Sequence, residues 1–242
     1  MSSQTPKVFL TAEWRWLAML NYEIASEILA PLVPAGTELD SWNNKTFASL
    51  VGFLFLETRV KGIPVPFHQN FEEVNLRFYV RRKADDGWRR GVVFIKELVP
   101  RSAIAFVARN FYNENYVALS MSHQLEMAGE DPKSVRYSWR FNGRDSFMQI
   151  ETPDAAQALT EGSLTEFIAE HYWGYARQRD RSTMEYRVEH PRWKFREATA
   201  VKLDCDLAGL YGEKFASFLN QPPASAFLAD GSAVTVGSGM KI

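Results

Sequence analysis

Residues 73–80 read Glu-Val-Asn-Leu-Arg-Phe-Tyr-Val, and this alternation constrains the fold more than any other stretch of the chain. Successive side chains of a β-strand point to opposite faces. Glu73, Asn75, Arg77 and Tyr79 therefore share one side, and Val74, Leu76, Phe78 and Val80 the other. The pattern covers residues 73–82, meets the turn signal Asp86-Gly87, and resumes over residues 91–99. There the parity predicts Val93, Ile95 and Glu97 on one face, with Val92, Phe94, Lys96 and Leu98 opposite.

Strand signals dominate elsewhere too. Residues 14–22 mix aromatic and aliphatic side chains and fit strand or helix. Residues 24–32 have helical spacing and end at the Pro- and Gly-containing stretch 31–36. Asn43-Asn44, between residues 37–42 and 45–57, predicts a hairpin. Residues 62–66, Gly-Ile-Pro-Val-Pro, predict a loop, because two prolines remove ladder donors. A short helical pattern at 102–111 precedes strands at 116–127 and 134–141, and Asn142-Gly143 is a hairpin turn into 147–151. Ser163 and Glu166 form a capping box for a helix over 164–178, whose apolar stripe includes Phe167, Ile168, His171 and Tyr175. Strands at 186–190 and 199–203, a helix at 207–219 and a hairpin through Ala229-Asp230-Gly231 complete the reading. No repeat or linker divides the chain, so residues 1–242 are expected to form a single α+β domain, mainly antiparallel β.

Composition excludes several classes of function. Net charge is -1, and the Arg81-Arg82-Lys83 and Arg89-Arg90 runs flank a turn, where a solvated hairpin tip accounts for them. That leaves no electrostatic footprint for nucleic acid or an acidic membrane. No stretch approaches the ~20 apolar residues of a membrane-spanning helix, and no basic-then-apolar leader opens the chain, so a cytoplasmic protein is expected. Cys205 is the single cysteine and stands between Asp204 and Asp206, which disfavours its thiolate; a structural role is expected. Neither a phosphate-binding loop, a dinucleotide fingerprint nor a nucleophile elbow is present, and the four histidines lack metal-ligand spacing. The expectation is therefore no metal and no cofactor.

The informative feature is charge where a strand expects burial. Glu73, Asn75 and Arg77 share a face with no apolar member before Tyr79, and Glu97 follows Val93 and Ile95 on the next run. Buried charges must be paired or directed at a ligand. One reading is an Arg77–Glu97 or Glu73–Arg77 ion pair, or a solvated outer face; the other is a polar cavity. His190-Pro191-Arg192-Trp193 between two strands suits a cavity rim or a packed corner, and His171 on the helix stripe reads as a core histidine.

Taken in order, several segments carry a resemblance. They are residues 29–36 (Leu-Ala-Pro-Leu-Val-Pro-Ala-Gly), residues 73–80, Gly91-Val92-Val93-Phe94, Ala108-Arg109 with Tyr116, Leu164-Thr165-Glu166, and His190-Pro191-Arg192-Trp193. This set resembles the YqjF-like family of uncharacterised conserved proteins within the acetoacetate-decarboxylase-like superfamily. The resemblance implies a closed antiparallel β-barrel with peripheral helices and an internal cavity. In the decarboxylases a lysine after a proline at a strand end forms an imine with a β-keto acid. The matching stretch here is residues 97–102, Glu-Leu-Val-Pro-Arg-Ser, with Arg101 at the lysine position. A guanidinium stays protonated and is not a nucleophile, so imine chemistry is not expected.

Three functions compete on these residues. In the first, Asn75, Arg77, Arg101 and Trp193 bind a small anionic substrate, while Glu73, Glu97 or His190 moves a proton. The second is a ligand-binding barrel without turnover. The third is a structural or partner-binding domain, and a homo-oligomer is compatible with all three.

Overall fold

A computed structural model describes residues 7–64, 66, 68–100, 115–152 and 155–242. β1 (Val8–Glu23) leads through one helical turn, α1 (Ser26–Leu29), and a 3-10 turn at Ala30–Leu32 to β2 (Glu38–Leu39). β3 (Phe47–Val60), β4 (Ile63–Pro64), β5 (Phe71–Ala84) and β6 (Gly87–Pro100) follow. Next are β7 (Tyr116–Ala128), β8 (Asp131–Phe141), β9 (Arg144–Glu151) and β10 (Gln157–Ala158). After α2 (Leu164–Ala169) come β11 (Trp173–Arg177), β12 (Thr183–Glu189), β13 (Lys194–Glu197) and β14 (Ala200–Asp204). α3 (Leu207–Tyr211) and α4 (Glu213–Leu219) precede β15 (Ser225–Gly237) and β16 (Met240–Lys241).

These strands form one hydrogen-bonded sheet with the order β14-β9-β8-β7-β6-β11-β12-β15-β1-β3-β5-β2. β5 pairs with β6 as well, so the pairings run from β6 through β11, β12, β15, β1, β3 and β5 back to β6. Nearly all are antiparallel. Among the described residues β6 alone makes parallel pairs, with β7 (Glu97↔Tyr116) and with β11 (Gly91↔Trp173). The expected β5–β6 neighbours are present, with Ala84 opposite Gly87 at the tip.

The apolar face of β5 is fully buried. Val74, Leu76, Phe78 and Val80 pack in one cluster with Tyr137 and Ile150 from β8 and β9 and Leu210 from α3. Each such side chain contributes about 1.5–3 kcal/mol by leaving water. A second cluster, rich in aromatics, holds Phe53, Phe55, Phe167, Trp193 and Phe227. The other face of β5 belongs to that side.

Several expectations need correction. The capping box holds, since the Ser163 hydroxyl accepts from the Glu166 amide at 3.1 Å, but the helix ends at Ala169 rather than at residue 178. The Tyr172 amide bonds to Arg90 O on β6, and Tyr172 O accepts from Val188 on β12. Sheet pairing thus overrides the helical spacing of residues 171–175. The helix read at 207–219 is two short ones that meet at Gly212. Asp230-Gly231 is no hairpin turn. β15 runs through it, paired with β1 from Val8↔Gly237 to Asn21↔Ser225. Gly231 (φ +77°) sits opposite Arg15, next to Trp16 (φ +55°), and a Cβ there would meet Trp14 O at 1.9 Å. Only glycine supplies that irregularity without a clash. The helical pattern at 102–111 lies outside the described residues. None of the described helices is long and apolar enough to cross a membrane.

Candidate active site

The polar face of β5 is buried as well. Glu73, Asn75 and Arg77 are 5%, 1% and 9% exposed, and Glu97 on β6 is 2% exposed. All four line one pocket of about 60 Å³. Asn75 stands opposite Val51 on β3 and opposite Glu97 on β6, which puts it at the centre of the polar group. Its amide donates to Glu73 Oε1 at 2.9 Å, while its own Oδ1 is buried without a hydrogen-bond partner among the described residues.

A slip of register positions Glu97. Leu76 pairs with Lys96, yet the next residue, Arg77, pairs with Phe94, so Ile95 is the extra residue of a β-bulge. The bulge breaks the alternation. Val92 and Phe94 join Glu97 in lining the pocket, whereas Val93, Ile95 and Leu98 belong to the opposite cluster. The sequence parity had grouped Glu97 with Val93 and Ile95. Lys96 also turns away, with its ammonium on Leu210 O and 6.0 Å from the centre of the Tyr211 ring. Burial lowers its pKa.

Arg77 makes no ion pair among the described residues. It is paired with neither Glu73 nor Glu97, contrary to the ion-pair reading. Among the described residues its one polar contact is a 4.0 Å approach of Nη2 to Met19 Sδ, and its Nε is buried without a partner. The Tyr79 ring, 5.9 Å away, gives it an aromatic neighbour. Much of the remaining wall is apolar or aromatic, with Trp14, Leu17, Phe53, Phe55, Trp173 and Tyr186 among its members. Tyr186 lies across Gly174, where a Cβ would come within 2.1 Å of its ring, so the glycine makes room for that wall.

His171, a core histidine by its place on the apolar stripe, is a pocket residue in the structure. It lines the pocket, with its Nε2 3.4 Å from Arg90 Nη2 and 3.7 Å from Asp40 Oδ2. Burial pushes the imidazole pKa down to about 4. Burial also acts to raise Asp40, but the Arg90 guanidinium, at 2.7 Å, holds the carboxyl at about 2, with the His171 ring 3.7 Å away. Asp40 carries no sequence signature, and Arg90 stands in a run that a solvated hairpin tip would account for. Arg82 and Arg89 leave that tip as well, to hold Glu185 of β12 at 3.1 and 2.6 Å.

His190 and Trp193 do not line the pocket. His190 stacks between Tyr172 (4.7 Å) and Trp193 (4.0 Å), and its Nδ1 is 2.9 Å from Pro191 O. Trp193 meets the pocket residue Trp14 edge-on at 6.4 Å and donates to Ser232 Oγ. Of the two alternatives for this segment, the structure has the packed corner. Neither residue is among those that line this pocket. Arg101 lies outside the described residues. Among the described residues no group of three His, Cys, Asp or Glu side chains could hold a metal ion.

Comparison with known proteins adds a family and a fold. Residues 11–233 match the family DUF2071, described as an uncharacterised conserved protein. The uncharacterised protein YqjF of Bacillus subtilis (strain 168) is 26% identical over 189 residues, covering 77% of this chain and 75% of that one. Among solved structures, acetoacetate decarboxylase from Legionella pneumophila superposes with a TM-score of 0.64 at 10% identity, over 100% of this chain and 91% of that one. The enduracididine biosynthesis enzyme MppR complexed with pyruvate gives 0.64 at 9% identity, over 99% and 92%. An acetoacetate decarboxylase-like enzyme from Sphingomonas wittichii RW1 gives 0.63 at 12%, over 96% and 92%. At such identities the likeness is one of fold.

Proposed function

The chain belongs to this family of uncharacterised conserved proteins, and from that premise we propose that its pocket binds a small anionic organic molecule and moves a proton on it without covalent catalysis. The carrying observation is Arg77: a buried guanidinium with no carboxylate partner among the described residues. An isolated buried charge costs several kcal/mol, and a bound anion would offset that cost. The family fold supports reading the ring of pairings as a closed barrel of one domain, residues 1–242, with the pocket inside it.

The same fold suggests a small oxo acid as the first probe, since one structural relative is a complex with pyruvate. Arg77 would take the carboxylate, as guanidinium and carboxylate geometries match. Glu73 or Glu97 would remove a proton from the carbon beside the carbonyl and return it, an acid–base step within reach of a positioned carboxylate. The imine route has no support in the pocket. Lys96 faces the other cluster, and no lysine lines the pocket among the described residues.

Calorimetric titration with pyruvate tests binding, and Arg77→Leu is expected to weaken it at least tenfold. Proton NMR in D2O then tests turnover through deuterium entering the pyruvate methyl group. Binding without exchange in this assay and in Glu73→Gln or Glu97→Gln controls would select the non-catalytic barrel instead. Borohydride added with acetoacetate is expected to leave the intact mass unchanged; a stable adduct on any lysine would overturn the non-covalent reading.

A further inference from the structure

His171 is a core histidine by sequence, but its two ring nitrogens have different surroundings. Arg90 Nη2 stands 3.4 Å from Nε2. A guanidinium has five N–H donors and no acceptor, so where Arg90 donates at this contact Nε2 is the bare nitrogen. Asp40 Oδ2, the alternative partner of Nε2, is farther at 3.7 Å and already accepts from Arg90 Nε at 2.7 Å. The neutral ring then carries its proton on Nδ1. That nitrogen is buried and has no hydrogen-bond partner among the described residues, in a side chain that lines the pocket with Arg77.

An unused N–H buried at a pocket wall is costly unless something occupies it. The ring cannot easily escape the arrangement: it lies 4.5 Å from the Tyr79 ring and edge-on to Phe167 at 5.5 Å. We propose that His171 is a substrate-contacting residue, donating from Nδ1–H to the carbonyl or enolate oxygen of a 2-oxo acid whose carboxylate rests on Arg77. This rests on the reading of the pocket as a small-anion site and assigns that site an electrophilic member. A neutral donor suits the task. It stabilises negative charge that develops on oxygen without surrendering its proton to a carboxylate nearby. Burial and the neighbouring Arg90 and Arg77 charges, which oppose the pull of Asp40, keep the ring neutral near pH 7.

Two measurements test it. With 15N-histidine labelling, His171 is expected to show the Nδ1–H tautomer from pH 8 down to pH 5.5, and its Nδ1 signal to move when pyruvate is added. A proton on Nε2, or a charged ring at pH 7, overturns the inference. Calorimetry with pyruvate and propionate then separates this residue from Arg77. His171→Phe keeps a flat ring and is expected to weaken pyruvate about ten- to a hundredfold, while propionate, which has no carbonyl oxygen beside its carboxylate, binds as before. His171→Asn, whose amide can place a donor near the Nδ1 position, is expected to recover part of the loss. Arg77→Leu weakens both acids. If the wild type binds neither acid, the small-anion reading itself fails. If it binds pyruvate and His171→Phe, folded by thermal melt, binds it equally well, only the role of His171 falls.

Discussion

Two buried charges in this molecule are handled in opposite ways. Glu185 on β12 is 1% exposed and is held by two guanidiniums, Arg82 and Arg89, which reach it from both strands of the β5–β6 hairpin. Arg77, on the same hairpin, is 9% exposed and has no carboxylate beside it among the described residues. The first is a seam that joins the hairpin to β12 and leaves no carboxylate oxygen without a donor. The second lines a pocket, with its Nε lacking a hydrogen-bond partner among the described residues. Burial alone therefore does not say how a charge is compensated; the completeness of its pairing does.

The contrast can be broken by mutation. Replacing both Arg82 and Arg89 by Met leaves the Glu185 carboxylate buried and uncompensated, and a loss of about 3–5 kcal/mol in urea unfolding is expected. A loss below about 1 kcal/mol would reduce the seam to an ordinary surface contact. The next effect in size comes from acid. His171 has a folded pKa of about 4 against its ordinary 6.5, so the unfolded chain takes up the proton first as pH falls. Its contribution is complete above the unfolded value and is lost as the pH drops through 6.5 towards 4, to a limit of about 3 kcal/mol. Asp40, held at about 2, stays charged throughout that window. Denaturation curves at pH 7 and pH 4.5 are expected to differ accordingly, and His171→Phe to lose that part of the slope.

Arg77→Leu sharpens the comparison from the other side. Removing a guanidinium that lacks a carboxylate partner relieves a desolvated charge, so stability is expected to change by less than about 1 kcal/mol or to rise. A loss as large as that of the Arg82/Arg89 pair would mean that Arg77 belongs to a seam of its own. The smallest effect is expected at Lys45, 2.7 Å from Glu23 with both side chains about half exposed. Lys45→Ala should cost no more than about 0.5 kcal/mol.

The hairpin of β5 and β6 and the division of β5 into a polar and an apolar face were legible because residues 73–80 alternate without exception, whereas the burial of the polar face was one of two open readings. The Asn142-Gly143 turn was legible for a local reason: residues 142 and 143 have φ of +50° and +79°, the conformation that pair favours. What escaped was set by distant partners. Residues 171–175 satisfy a helical stripe, yet β6 and β12 supply backbone partners that a longer α2 could not use. Asp230-Gly231 has the composition of a turn, but β1 extends past it and keeps β15 paired on both sides. His171, Asp40 and Arg90 come from three separate segments, and their meeting is a property of the sheet rather than of any local pattern.

The single surplus residue in β6 has a consequence for how chemistry is written into a strand. Side chains on a strand are read in twos, and an inserted residue acts on that reading as a frameshift acts on codons. Up to Phe94 the pocket receives one frame; beyond Ile95 it receives the other. Carried straight through from Phe94, the first frame would present Lys96 to the pocket and send Glu97 to the far side. A primary amine would then stand where this chain has a carboxylate. Two proteins with the same residues at these positions and different punctuation at Ile95 would thus present an amine to the pocket in one case and a carboxylate in the other.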